Sequence, residues 1–430
     1  MADAPHPFRI ANFRAYWAAR LVTMLGQYAM MLIIGWQAYN IARDGGMGVG
    51  AAAGQLAIIG LLQFLPLFVL TPFAGLAADR FDRRTVAKWM VGLQIVCAAI
   101  LGFVTWREAM DLPVLFGVAI LLGIARAFAG PALGALAPNL VPKEVLPNAI
   151  ALSSISWQVG VIVGPAIAGY LYIVDPALPY ATSCAMFCVA LGALSLIGKV
   201  PRTPIVGAQR PIGQVIDGLR YVRRNRMVLG AITLDLFAVF LAGATALFPV
   251  YARDILEVGA TGLSQLAAAP AVGAALTALW FSFRPLKTHV GPKMLWSVAV
   301  FGLATIVFGL STSMPLSLAM LVIVGAADMF SVYIRQSMIQ LHTPDDKRGR
   351  VSSVSLLTIS ASNEFGDFFS GSLAWIFGPV AAVVSGGVGA VVTVLLWSRW
   401  FPVLRHTRTF DPPPELDEET PEQTLQEKPS

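Results

Sequence analysis

Charge is scarce in this chain: only 13% of its 430 residues are Asp, Glu, Lys or Arg, against 57% hydrophobic, and the mean hydropathy is +0.70. A water-exposed fold of that composition would be insoluble, which excludes an ordinary soluble domain and leaves lipid as the solvent. Cysteine is scarcer still. Cys97, Cys184 and Cys188 all lie in apolar stretches, and an odd number cannot pair completely, so no disulfide framework is expected. The four histidines, His6, His289, His342 and His406, are scattered through tail, turn and end regions and gather no metal site. No phosphate-cradling GxxxxGK[ST] loop occurs, nor HExxH, nor a serine–histidine–acid arrangement. Neither ATP-driven pumping by this chain nor catalysis is therefore expected, and no cofactor is implied. The opening MADAPHPFRIANF has no compact apolar core and no small-residue cleavage site, so the first span is expected to be retained.

What is present is an alternation of long apolar runs and short polar turns. Stretches of about 20 residues, each enough to cross a bilayer, fall near 15–39, 54–78, 85–105, 113–137, 148–173 and 180–198, then near 227–251, 262–282, 293–311, 317–341, 351–377 and 379–400. The pattern predicts an all-α membrane protein of twelve transmembrane helices, grouped as six-helix bundles at 15–198 and 227–400. Residues 1–14 precede them. Residues 199–226 form a basic linker with a surface helix at Ile212–Tyr221, whose apolar side suits the membrane interface. Residues 401–430 end in FDPPPELDEETPEQTLQEKPS and read as a disordered acidic tail.

Of 30 basic residues only Arg43, Arg107 and Arg253 fall in loops on the side opposite the termini, so the positive-inside rule makes the termini and linker cytoplasmic. The net charge of +6 then reflects topology and gives no support to nucleic-acid binding. The expected partners are the bilayer, a small-molecule substrate and protons, with the chain acting as a monomer. A short internal repeat supports two related halves: Pro142-Lys143-Glu144 leads to Asn148-Ala149, and Pro344-Asp345-Asp346 leads at the same offset to Arg350-Val351. Both turns enter serine-bearing helices, at Ser153-Ser154 and Ser352-Ser353.

The turn GLAADRFDRR between the second and third spans carries Gly75, Asp79, Arg80, Arg83 and Arg84, and resembles motif A of the major facilitator superfamily, with Asp82 where that family has glycine. In the family this turn latches the two halves when the cavity faces outward. The resemblance implies that Asp79 meets the start of the eleventh helix at Arg350–Ser353, where unpaired N–H groups favour an anion. Asp82 adds a second acid that strengthens or redirects the latch. Arg126 and Gly130 are similar to motif B, which implies a cavity-facing arginine linked to proton transfer. Gly160, Gly164, Pro165 and Gly169 are similar to motif C of the export branch, with Ala168 in place of a glycine. Small residues at four-residue spacing let backbones touch, and Pro165 is placed to bend the helix. The opening NFRAYW, the stretches at 248–270 and 334–354, and SASNEFGDFFSG resemble the enterobactin-exporter-like efflux proteins, a branch that also includes drug exporters. The resemblance covers about residues 11–400. It implies an inner-membrane secondary transporter that exports an amphipathic small molecule, such as a siderophore or drug, by proton antiport and alternating access.

An ionisable side chain inside a span costs about 2.5–3.5 kcal/mol on insertion scales and calls for a partner or water. At 1.5 Å per residue, Arg20 and Arg335 lie roughly 9 Å from the terminal side, Asp235 about 12 Å, Arg126 about 16 Å, and Asp328 and Glu364 about 20 Å, with Asp367 one turn further. Asp235 is expected to pair with Arg20, Arg126 or Arg335, closing the terminal-side mouth. Asp328 and Glu364 are the candidate proton-accepting pair, because two carboxyls close together in a poorly solvated cavity resist being ionised together. Snorkelling of Arg20 and Arg335 to the headgroups is an equal alternative, and a static ion pair is the rival reading for Asp235. Gln27, Gln37, Gln63, Gln158, Gln336 and Gln340 are the polar candidates for orienting a substrate. An importer is the alternative within transport, and a membrane scaffold or receptor using the acidic tail is the alternative outside it.

Overall fold

Lipid offers a peptide group no hydrogen-bond partner, so a chain that crosses it must satisfy its N–H and C=O groups internally. The computed structural model is accordingly helical, with no strand among the described residues. It describes residues 6–142, 145–198, 211–284, 286, 288–343 and 345–410; within these, side chains at positions including 75–80, 211–215, 345–346 and 364 lie outside the described set. The first half comprises α1 (Ala11–Asp44), α2 (Val49–Arg80), α3 (Arg83–Trp106), α4 (Leu112–Leu136), α5 (Leu146–Val174) and α6 (Leu178–Leu196). A linker helix, α7 (Pro211–Arg224), follows. The second half comprises α8 (Arg226–Leu241), α9 (Gly259–Phe283), α10 (Val290–Leu310), α11 (Met314–Leu341), α12 (Asp345–Phe377) and α13 (Pro379–Trp400), with a short α14 (Pro402–His406) behind it. Among the described residues, eleven helices are long and apolar enough to cross a membrane. The 33-residue α12, whose hydropathy is lowered by its charged start and by Glu364 and Asp367, completes twelve spans.

The packing is two-fold. In the first half α1 packs on α5 and α6, α2 on α4, and α3 on α4 and α6; in the second, α8 packs on α12 and α13, α9 on α11, and α10 on α11 and α13. Each pair maps onto its counterpart seven labels later. The contacts between halves obey the same rule, α2 with α12 and α5 with α9.

Helices in lipid associate through close backbone approach, because burying apolar groups against each other gains little there. On α5, a Cβ at Gly160 would fall 2.5 Å from that of Met24, and one at Gly164 would fall 2.8 Å from the Leu25 carbonyl oxygen. The symmetry-related seam uses Gly366 of α12, where a Cβ would come within 3.1 Å of the carbonyls of Val239 and Phe240 on α8. Polar caps mark the helix starts: Asp111 accepts from the Val114 N–H at 3.0 Å and Asn225 from Met227 and Val228 at 3.1 and 3.2 Å.

Two segments differ from the sequence expectation, and a third adds to it. The seventh span, expected as one helix over 227–251, stops at Leu241 and resumes at Thr245. It ends in a wide turn, Tyr251–Ile255, with the Leu256 N–H reaching back to the Tyr251 carbonyl at 2.8 Å. Phe401–Phe410, expected as part of a disordered tail, docks on the second half: Leu404 is fully buried, and the Thr407 and Arg408 carbonyls accept from Gly291 and Val290. The first N–H groups of α10 need acceptors, and this strap supplies them; residues 411–430 lie outside the described set. The linker helix, whose apolar side is expected at the interface, also packs Gly218 and Val222 against the protein, with Val222 in one cluster with Ile339, Val351 and Val354, while Ile216 and Leu219 stay exposed on its other side.

The substitution Gly160→Val should force α1 and α5 apart and cost about 1–3 kcal/mol. A lowered thermal midpoint of the detergent-purified protein reads this out, with Gly192→Ala unchanged because no atom stands within 4 Å of its would-be Cβ.

Candidate functional site

The ionisable residues of the spans fall on α1, α4, α8, α11 and α12, and the structure sorts them into different settings. Asp235 of α8 forms an ion pair with Arg335 of α11, with side chains 8% and 2% exposed. Of the three arginines open to Asp235 in the sequence, geometry selects the one in its own half. Arg126 reaches sideways within the other half, donating to the Gln63 Oε1 at 3.3 Å where α4 meets α2. Arg20 donates to the hydroxyl of Tyr16 at 3.2 Å, one turn nearer the terminal end. Among the described residues neither arginine crosses to Asp235, so of the alternatives the pair within the second half is the one formed.

Asp328 stands apart. It is half-buried on α11, two turns before Arg335 on the same helix face, and makes no hydrogen bond or ion pair among the described residues. Its expected partner Glu364 lies outside the described residues. Asp367 accepts from the Thr245 hydroxyl at 2.9 Å, beside the break in the seventh span.

The candidate glutamines divide. Gln37 is a structural clamp: it is 5% exposed, donates to Thr105 at 3.3 Å and accepts from the Tyr180 hydroxyl at 2.8 Å, tying α1 to α3 and α6. This removes it from the substrate candidates, because its amide is already spent inside the bundle. Gln63 is likewise buried and holds Arg126. Gln27, Gln158 and Gln336 are half-buried and Gln340 is exposed.

In the motif A turn, Gly75, Asp79 and Arg80 lie outside the described residues. Asp82 is the N-cap of α3, accepting from the Arg84 N–H at 2.9 Å, and it also faces the Arg84 guanidinium at 3.7 Å. Its carboxylate is therefore engaged locally, while the latch that it is expected to strengthen or redirect involves Asp79, which lies outside the described residues. Arg84 in turn donates to the Ile197 carbonyl at the end of α6; Arg83 is engaged as well. Gly130 of motif B has open space where a Cβ would sit, beside Pro131 inside α4. In motif C, Gly160 and Gly164 face α1, whereas Gly169 abuts Ser264 and Ala260 of α9, across the halves. Pro165 lies between them inside a helix that continues to Val174.

The structure also assembles a group that the sequence reading passed over. At the end of the molecule away from the termini, Arg43 binds Asp254 at 2.8 Å and Arg253 binds Asp44 at 2.6 Å. Tyr39 donates to Asp254 at 2.5 Å, and Arg253 also reaches the side chain of Asn40. Each half contributes one arginine and one aspartate, so the two pairs are reciprocal. The wide turn at Tyr251–Ile255 carries the second-half members and is pinned by the Tyr251 hydroxyl on the Gly309 carbonyl at 2.8 Å. The available signal was adjacency of opposite charges: Arg43-Asp44 and Arg253-Asp254 both border a span on the side that is poor in basic residues.

Among the described residues, further close contacts between the halves run from the same side toward mid-span. Gly50 and Gly54 of α2 approach Trp375, Ala57 approaches Gly371, and Phe64 meets Phe365 with ring centres 4.4 Å apart. Among the described residues the halves are thus joined along the distal parts of α5 and α9 and the distal halves of α2 and α12.

Two matched six-helix bundles meeting through α2–α12 and α5–α9 define a transporter of the major facilitator type. The chain belongs to the transmembrane secretion effector family, whose model matches residues 2–426. It is 28% identical over 382 residues to the multidrug efflux pump Tap of Mycobacterium tuberculosis, covering 86% of this chain and 90% of the relative. It is 27% identical over 417 residues to the enterobactin exporter EntS of Escherichia coli, covering 93% and 94%. Among solved structures it is similar to a bacterial homolog of the human lysosomal transporter Spinster in an inward-facing, unoccupied conformation, with TM-score 0.70, 17% identity and coverage of 92% and 99%. It is also similar to a D-xylose–proton symporter, with TM-score 0.70, 13% identity and coverage of 91% and 98%. The family and these relatives are transporters and not enzymes, and the chain is a bacterial membrane transporter.

Arg335→Ala should destabilise the protein by about 3–5 kcal/mol, because it strands a buried carboxylate. The double variant Asp235→Leu/Arg335→Met should recover most of the loss in thermal unfolding. At the distal clamp, Asp254→Asn should shift the balance of states away from the distally closed one by a factor of about 2–5, as fits partly exposed ion pairs. Spin-label distances between the distal ends of the halves measure that shift.

Proposed function

We propose that this protein exports an amphipathic small organic molecule across the bacterial inner membrane by alternating access, in exchange for protons. The observation that carries the reading is the joint at the distal end, where reciprocal ion pairs and close helix contacts tie the halves together. A joint of that kind closes one mouth while the other is free to open. Partly exposed ion pairs also make a breakable latch, since each contributes little in water. The excess of basic residues on the terminal side supports cytoplasmic termini, so the closed distal end faces outward.

Asp328 is the candidate proton carrier, being a carboxyl at mid-depth with no partner among the described residues. Two turns away on the same face of α11, Arg335 is held by Asp235 of α8. The efflux relatives support an outward direction and a substrate of drug or siderophore type. Secondary transport by one chain requires no cofactor and no nucleotide-binding domain.

The test is flux in vesicles of both orientations under an imposed pH gradient, with a lipophilic dye cation and enterobactin as probes. Wild-type protein should move a probe against its gradient toward the distal side, Asp328→Asn should fall to background, and deletion of residues 411–430 should leave flux intact. Full gradient-driven flux in Asp328→Asn would remove the proton assignment. Accumulation toward the terminal side would make the protein an importer.

A further inference from the structure

The linker helix α7 holds an unused surface. Its packed side is settled: Gly218 lies against the Arg350 backbone, Val222 is 2% exposed, and the Tyr221 hydroxyl donates to the His342 carbonyl at 2.8 Å. The opposite stripe, Ile216, Leu219, Arg220 and Arg223, follows the i, i+3, i+4, i+7 spacing of one helix face. All four side chains are exposed, Ile216 at 50% and Leu219 at 40%. The one acid in the helix, Asp217, is occupied by Arg350 at 3.4 Å and so does not neutralise that face.

Three anchors set the depth of α7. Asn225, directly after it, caps α8, where the seventh span begins. Tyr221 holds the carbonyl of His342, which closes α11, and Asp217 holds Arg350 in the first turns of α12. Each anchor is the end of a membrane-crossing helix on the same side, so α7 lies at headgroup level. A helix at that level with two arginines and two aliphatic side chains on one free face matches an anionic interface: guanidinium forks fit phosphate oxygens, and the aliphatics fit the outer acyl carbons.

We propose that the exposed face of α7 is a binding site for anionic phospholipid, with Arg220 and Arg223 on the headgroup phosphate and Ile216 and Leu219 seated at the acyl boundary. Through Tyr221 and Asp217 the helix that holds the lipid is tied to the end of α11 and to the first turns of α12.

The test uses the full-length protein in detergent, titrated with dioleoyl-phosphatidylglycerol or dioleoyl-phosphatidylcholine, with bound lipids counted by native mass spectrometry. Wild-type protein should retain phosphatidylglycerol in preference to phosphatidylcholine. Arg220→Gln and Arg223→Gln should each weaken phosphatidylglycerol binding about fivefold, and Ile216→Asn should weaken it further. Lysine at either arginine position should restore most of the binding, and all variants should keep the wild-type thermal midpoint because the face is solvent-exposed. Arg405→Gln/Arg408→Gln, which removes two exposed charges from the strap at the same end, should bind as wild type. Undiminished binding in Arg220→Gln/Arg223→Gln, an equal loss in the strap variant, or complete displacement of the lipid by inorganic phosphate would overturn the proposal.

Discussion

Two helices in lipid gain almost nothing by hiding apolar side chains from a solvent that is itself apolar, so backbone contact at small residues must hold them together. The seams of α5 on α1 and of α12 on α8 meet that constraint with glycines at related places in the two halves. Everything else is arranged around those seams. The same pairs of helices pack in both halves, so each half is built on the same plan.

Polar interactions are then distributed by depth. The buried Asp235–Arg335 pair and the Gln37 junction with Thr105 and Tyr180 sit inside single halves, where low dielectric makes a lone partner costly and so keeps each bundle rigid. The Arg43–Asp254 and Arg253–Asp44 pairs sit between halves and partly in water, where rupture is cheap. Strong bonds within the bodies and weak ones across their joint are what a rocking mechanism requires. Asp328 fits neither group, and that isolation marks it as the residue to follow in the proposed proton exchange.

Much of this was legible in the residues. Apolar run lengths gave the number of spans, the charged turns gave their boundaries, and GLAADRFDRR, Arg126 and the glycines of α5 pointed to the family. What was hidden involved choices among chemically equal options. Asp235 had three arginines at comparable depth, and only the packing of α8 on α11 selects Arg335. Asp82 is a candidate second latch acid, and an aspartate one residue before a helix also finds donors in that helix's own N–H groups. Gln37 looked like a cavity residue because periodicity does not distinguish the face toward α3 and α6 from the face toward a substrate.

By itself the sequence determined the solvent, the count and length of the helices, the two related halves and the family, since each follows from composition, local order or short motifs. The tertiary structure alone decided which charges meet and which of them tie the halves together at the distal end. Those outcomes depend on the rotation of each helix about its axis and on the wide turn at Tyr251–Ile255, which aims Arg253 and Asp254 at α1. Helix rotation is set by close contact with several neighbours at once, and no local stretch of residues contains that information.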